Sequence, residues 1–202
     1  ILRKKPPGNL LPSAHAIERE YKVQKALKQT NVPCPEMITL CEDSSIIGTP
    51  FYIMSYIEGK VYESILEVEL IKDRKDIYLL MVKMLAELHN VNYEKLNLAG
   101  FGKPNNYAQR QISRWEKQWN LSKQRDIPEM NSIIEWLNKH LPEKCDSSIV
   151  HGDFRLGNLI FNKDSKTINA VLDWELSTIG DPLADFGYML YPYYIPFGER
   201  HG

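Results

Sequence analysis

The chain has 202 residues, with 25 Lys plus Arg against 26 Asp plus Glu, a formal net charge of -1 and 43% hydrophobic residues. That length buries a core without disulfides or metals, and the composition excludes a disordered or collagen-like chain. The near-zero charge excludes a non-specific binder of nucleic acid or of a membrane surface, so any phosphate chemistry has to come from a local site.

Residues 1–5 predict a short strand, ended by Pro6-Pro7-Gly8 because proline supplies no ladder donor. A helix follows over 13–28, with Ser13 as N-cap and Ile17, Tyr21 and Leu27 on one face. Glu20 falls inside that apolar stripe, and a carboxylate there needs a cationic partner, because burying it unpaired is costly. Strands fit over 37–41 and 51–56, and residues 57–60 read as a linker. Beyond residue 60 the pattern turns helical, with helices over 72–89, 107–123 and 128–140. A small β insertion sits among them, with strands over 147–150, 159–162 and 167–172, and Pro182 opens a last helix over 183–190. The most apolar run, 78–88, is broken by Lys83 and Glu87 and is far short of a membrane span. Cys34, Cys41 and Cys145 form neither a CxxC pair nor a disulfide framework, which points to a reducing, intracellular compartment. The chain opens without Met and stops at Glu199-Arg200-His201-Gly202, so both ends read as cut from a longer protein.

The strand ends of the β insertion carry the chemistry. His151-Gly152-Asp153-Phe154-Arg155-Leu156-Gly157-Asn158 follows one strand, and Asp173 follows the second strand of the hairpin. Phosphoryl transfer needs a carboxylate beside the attacking hydroxyl, a carboxylate and an amide oxygen on Mg²⁺, and a cation on the transferring group. Asp153, Asp173, Asn158 and Arg155 match those roles in order, and Asp-x4-Asn is the spacing of a kinase catalytic loop. The bland alternative is a solvated turn in which Asp153 and Asn158 cap backbone groups. It leaves unexplained why three polar residues recur at strand ends.

Together with those residues, LRKKPPG, LLPSAHAIEREY, CEDSSIIGTPFYIM, VHGDFRLGNLIF and VLDWELSTIGDPLAD carry a resemblance. The chain resembles the aminoglycoside phosphotransferase and choline kinase-like enzymes, which share the protein-kinase fold. Within them it is similar to the kinase-like domain that precedes the dehydrogenase domain in acyl-CoA dehydrogenase family members ten and eleven. The resemblance implies an α+β, two-lobed fold: a truncated N-terminal lobe and hinge over 1–60, and a helical, C-terminally truncated catalytic lobe over 61–202 with a small β-hairpin at the active site. It implies ATP and Mg²⁺ as cofactors, Asp153 as catalytic base, and Asn158 with Asp173 as metal ligands. On the nucleotide side it implies an ion pair between Glu20 and Arg3, which stands where many relatives have Lys. Ser55, Tyr56 and Ile57 would form the hinge that meets the adenine, with Met54 just behind it. The phosphate-covering loop and its two strands would lie before Ile1. The acceptor implied is a hydroxyacyl-CoA, phosphorylated ahead of elimination in fatty-acid breakdown, with choline or an aminoglycoside as the enzyme alternative. A fused C-terminal dehydrogenase domain and a mitochondrial or peroxisomal setting are further implications. A second class of reading is a catalytically silent nucleotide-binding module, motivated by Arg3 in the lysine position.

Several look-alikes need sorting. Asp185-Phe186-Gly187 spells the kinase metal tripeptide but lies in a predicted helix, so Asp185 is expected to brace the catalytic loop. Gly152 replaces the arginine that regulated protein kinases use, which favours a small-molecule acceptor. Gly100-Phe101-Gly102-Lys103 lacks phosphate-loop spacing and reads as a loop between helices, and Gly180-Asp181-Pro182 reads as a turn and helix entry. His151 is expected to hold the loop by hydrogen bonding, since Asp153 already fills the base position. Trp115 and Trp119 fit core packing better than a substrate groove. Glu175 either reaches a metal-bound water or is solvated, and the sequence favours neither.

Overall fold

The computed structural model describes residues 1–5, 16–69, 71 and 74–195. The Ser13 cap, the Pro6-Pro7-Gly8 stop, the Lys72 helix start and the terminal residues 199–202 lie outside the described residues.

Three strands, β1 (Leu2–Lys4), β2 (Met37–Cys41) and β3 (Phe51–Met54), form an antiparallel sheet in the order β1-β3-β2. Register places Arg3 opposite Tyr52, so the two are neighbours on the sheet. β3 ends at Met54 rather than running to residue 56. There the Ser55 N–H donates to the Glu36 carbonyl at 2.9 Å, and the Glu36 N–H donates to Ser55 Oγ at 2.9 Å.

Helix α1 (Ile17–Leu27) packs beside this sheet and starts at Ile17, with Ala16 in the N-cap position and no side-chain cap. Glu18 and Glu20 in its first turn suit the positive end of the helix dipole. Its buried positions are Ile17, Glu20, Val23, Gln24 and Leu27. Tyr21 is only half-buried, since the polar Glu20 and Gln24 take inward positions beside the apolar stripe.

Helix α2 (Ile65–Glu69) is a single turn absent from the sequence expectation. Helix α3 (Arg74–His89) buries Ile77, Met81, Leu85 and Leu88, one stripe at three- and four-residue spacing. Helices α4 (Tyr107–Ser122) and α5 (Pro128–Lys139) pair with each other, linked by Gln109 Nε2 donating to Asn138 Oδ1 at 2.9 Å. Here the expectation of core packing fails: no residue of α5 is buried, and Trp115 is 57% exposed, with Trp119 only half-buried.

The β elements between these helices form two ladders. β5 (Leu159–Phe161) and β6 (Ile168–Val171) make the expected hairpin. β4 (Ser148–Val150) pairs instead with β7 (Thr178–Gly180), a strand absent from the sequence expectation, which has only a turn starting at its last residue, Gly180. Gly180 lies there because a Cβ would come within 2.4 Å of the Tyr107 ring. Gly102 likewise backs onto β7, where a Cβ would meet Thr178 Oγ1 at 2.3 Å, so the Gly100–Lys103 segment is a packing feature. Helix α6 (Pro182–Leu190) is capped by Asp181, whose carboxylate accepts from the Leu183 N–H at 2.9 Å.

The linker between sheet and helices is stitched to the hairpin. Lys60 and Phe161 exchange both backbone hydrogen bonds at 2.8 Å, and Asn169 Nδ2 donates to the Glu58 carbonyl at 3.1 Å. Gly59 permits this approach, since a Cβ would sit 2.3 Å from the Phe161 carbonyl oxygen.

Candidate active site

The loop from His151 to Asn158 leaves β4 and enters β5, so both ends are anchored in ladders buried in the core. Its shape is held from inside. His151 is fully buried; its Nδ1 lies 3.2 Å from the Asp153 N–H and its Nε2 2.9 Å from the Leu172 carbonyl. Accepting at Nδ1 and donating at Nε2 is the arrangement of a neutral ring. Burial also pushes the imidazole below its ordinary value. His151 is thus a brace linking the loop to the residue before Asp173.

Asp185, on α6, is the second brace. Its carboxylate accepts from the backbone N–H of His151 at 2.7 Å and of Gly152 at 2.8 Å, and lies 3.1 Å from His89 Nε2 at the end of α3. The Asp-Phe-Gly tripeptide therefore braces the loop, as its helical setting led us to expect.

The Asp153 carboxylate is held by Asn158, Arg155 and the Tyr188 hydroxyl. Oδ2 accepts from Asn158 Nδ2 at 2.8 Å and from Arg155 Nε at 3.3 Å, and Asn158 Nδ2 also donates to the Asp153 carbonyl at 2.8 Å. With its amide nitrogen spent on Asp153, Asn158 offers its amide oxygen as the remaining polar atom. Gly157 gives the Arg155 guanidinium room, since a Cβ there would come within 2.5 Å of Nη1.

Asp173 stands after β6 with φ 64° and ψ 61°, in the left-handed region. The chain then turns through the short helical turn Trp174–Leu176, anchored by Trp174 Nε1 donating to the Val171 carbonyl at 3.0 Å. Glu175 is consequently not in extended chain, and its carboxylate is paired rather than simply solvated. Arg3 reaches it at 3.3 Å.

Arg3 joins the sheet to this turn. Its Nε pairs with Glu20 Oε2 at 2.7 Å, and its Nη2 with Asp173 Oδ1 at 2.8 Å. Glu20 is 1% exposed and also accepts from the Tyr52 hydroxyl at 3.0 Å, while its Oε1 has no hydrogen-bond partner among the described residues. Burial pushes the Glu20 carboxyl up, and Arg3 and Tyr52 act against it.

The expected hinge residues lie at the end of β3. Met54 exchanges backbone hydrogen bonds with Ile1, and the Ser55 N–H serves Glu36. Of the four, Tyr56 and Ile57 are the ones whose backbone the sheet does not take up in this way. Tyr56 is largely exposed.

Sequence reasoning missed Tyr188. Burial and the neighbouring Asp153 carboxylate push its hydroxyl up to about 12. The spacing from Asp185 was a usable signal, because residues three apart on a helix share a face. Tyr188 and Arg155, both at Asp153, also line a cavity of about 140 Å³. Its other walls are mainly apolar, among them Ile65, Met81 and Leu190, and Arg155 is the one charged lining residue among the described residues.

Residues 1–201 match the model of the APH phosphotransferase enzyme family. The chain belongs to this family. Among curated proteins it is 49% identical over 197 residues to acyl-CoA dehydrogenase family member 10 of Mus musculus, covering 97% of this chain and 18% of that protein. It is 45% identical over 198 residues to family member 11 of Homo sapiens, covering 97% of this chain and 25% of that one. The phosphotransferase domain thus spans a quarter or less of these relatives. A crystal structure from Ralstonia eutropha JMP134, named as a candidate aminoglycoside phosphotransferase, superposes with a TM-score of 0.86 at 44% identity, covering 99% of this chain and 60% of that one. The fold is therefore the protein-kinase-like, α+β fold of the aminoglycoside phosphotransferases, of which this chain carries part.

Proposed function

We propose that this domain transfers the γ-phosphoryl group of ATP to the hydroxyl of a small molecule, with nucleotide between the β1-β3-β2 sheet and the helical part. The observation that carries this reading is the grip of Asn158 and Arg155 on Asp153. Asn158 and Arg155 both meet Oδ2, which fixes the carboxylate beside the loop's entry to β5. A carboxylate so fixed orients the acceptor hydroxyl and takes up its proton. Arg155, on the same carboxylate, is placed to meet negative charge on the transferring phosphoryl.

Asn158 and Asp173 would hold Mg²⁺. An amide oxygen and a carboxylate are the hard oxygen donors that ion takes. When bound, Mg²⁺ neutralises charge on the phosphates. Arg3 and Glu20 belong to the nucleotide side, with Tyr56 and Ile57 as the residues to meet the adenine.

For the acceptor we infer a hydroxyacyl-CoA. The cavity beside Asp153 is mainly apolar, no carboxylate lines it among the described residues, and Arg155 supplies a positive charge. A choline- or aminoglycoside-type cation would need an acidic lining there. The relatives' dehydrogenase names agree with an acyl acceptor and with a dehydrogenase domain on the same polypeptide. A silent nucleotide-binding module is the second reading, favoured by the contact between Arg3 and Asp173.

The test is incubation of the full-length protein with MgATP and a panel of hydroxyacyl-CoAs and amino alcohols, reading phosphate gain by mass spectrometry. Asp153→Asn should lower turnover by about 10²–10⁴-fold, the usual worth of a positioned base, and leave nucleotide affinity nearly unchanged. Equal turnover in the variant overturns the assignment. ATP binding with no phosphate gain on any acceptor favours the silent module.

A further inference from the structure

We propose that Arg3 couples metal to nucleotide: its guanidinium occupies Asp173 while the cleft is empty and releases it when nucleotide phosphate arrives. The proposal rests on the reading of Asp173 as a metal ligand given above.

The geometry is a fork with one fixed and one exchangeable end. Nε is tied at 2.7 Å to Glu20, which is buried, held by Tyr52 and carried on α1. Nη2 is shared between Asp173 Oδ1 at 2.8 Å and Glu175 Oε2 at 3.3 Å, both on the turn after β6. The exchangeable end is the more accessible one: Asp173 is 32% exposed and Glu20 is 1% exposed. Lysine, with one point charge on a flexible stem, does not reproduce this planar span.

Charge and coordination explain why the arrangement matters. Among the described residues no group of three or more His, Cys, Asp or Glu is placed to hold a metal. The protein therefore offers Asp173 and Asn158, and Mg²⁺ ordinarily completes its shell with water and substrate phosphate. A metal arriving alone gains few protein ligands and must displace a guanidinium from one of them. A phosphate group changes both terms, because it accepts from the guanidinium fork and supplies oxygens to the metal. Glu20 keeps Nε in place during the exchange, so Arg3 turns about a fixed point. By linkage, each ligand then tightens the other by the same factor.

Mn²⁺ is the probe, titrated by electron paramagnetic resonance into the full-length protein without nucleotide. Arg3→Lys keeps the charge and removes the fork; we expect it to bind Mn²⁺ about tenfold more tightly than the parent, within the ordinary range of coupling factors. Arg3→Gln, which removes the charge as well, should gain at least as much. A gain in Arg3→Gln alone is an effect of charge and overturns the proposal, as does no gain in either variant. Asp173→Asn in the Arg3→Lys background separates the two ideas. If it leaves Mn²⁺ affinity untouched, the assignment of Asp173 as a metal ligand fails, whatever Arg3 does. A measurement on the parent protein stands apart from variant folding. Amide exchange over 171–176 should slow when Mn²⁺ is added with ADP and stay unchanged with Mn²⁺ alone. Equal protection by Mn²⁺ alone overturns the coupling.

Discussion

Gly152 has a φ of 88°, and a Cβ on it would lie 2.8 Å from both the Cβ and the carbonyl oxygen of Leu176. The residue before the proposed base is glycine for two independent reasons, a left-handed backbone and a close approach. Gly152→Ala adds a left-handed strain of about 1–2 kcal/mol to an overpacking cost of about 1–3 kcal/mol. Chemical denaturation should show a loss of about 2–5 kcal/mol, the sum of the two. In the sequence this glycine was legible only as the absence of a regulatory arginine, because neither φ nor the Leu176 contact leaves a local trace. Glu20 was legible in part. Its place in an apolar stripe announced that it needed a cation, but which cation depended on a pairing between residues far apart in the chain. Arg155 was read as a group for the phosphoryl alone, whereas its first partner in the structure is the Asp153 carboxylate.

Long periodic elements were readable, as were the short strands β1, β4, β5 and β6, whereas α2 and β7 were not. α3, α4 and α5 fall within two residues of expectation because their apolar or amphipathic spacing persists over several turns. α2 has five residues and β7 has three, too few to show any period. β7 was further disguised by a glycine and by the Asp181-Pro182 helix entry that follows. The cost of missing it was architectural, since β4 pairs with β7 and both ends of the His151–Asn158 loop are then fixed to different ladders. α6 contributes to the loop through Asp185, which answers two backbone donors that would otherwise be buried unpaired. Asp185→Asn keeps the shape and exchanges one acceptor oxygen for a donor facing another donor. An unsatisfied buried group costs about 1–3 kcal/mol, and thermal melting should show a loss of that order. An unchanged melting temperature would mean that the loop holds its shape without α6.

At the scale of the molecule, a near-neutral net charge conceals a strongly charged centre: Glu20, Asp153, Asp173 and Glu175 meet Arg3 and Arg155 there. The buried His151 gives the fold a pH dependence of definite sign. Its folded value lies below the ordinary 6.5, so the unfolded chain takes up its proton first as pH falls. The stability linked to His151 is therefore complete above pH 6.5 and declines as pH drops from there toward the lowered folded value. Denaturation midpoints measured from pH 7.5 downward should show this decline, and His151→Asn should make the slope shallower. An equal slope in the variant assigns the acid sensitivity to other groups.

The stitch between Lys60 and Phe161 has a mechanical consequence. The hairpin it grips begins just after Asn158 and ends just before Asp173. Gly59 and Lys60 therefore travel with the helical part, although they lie only a few residues from the edge of the three-stranded sheet. Between Ser55, bonded to Glu36 on the sheet side, and the Glu58 carbonyl, held by Asn169 of the hairpin, the crossing is only Tyr56 and Ile57. A second tie joins the same two parts, the Val171 N–H donating to the Pro33 carbonyl at 2.8 Å shortly before β2, so the hairpin that Asn158 and Asp173 flank is fastened to the sheet side at two separate points along the chain.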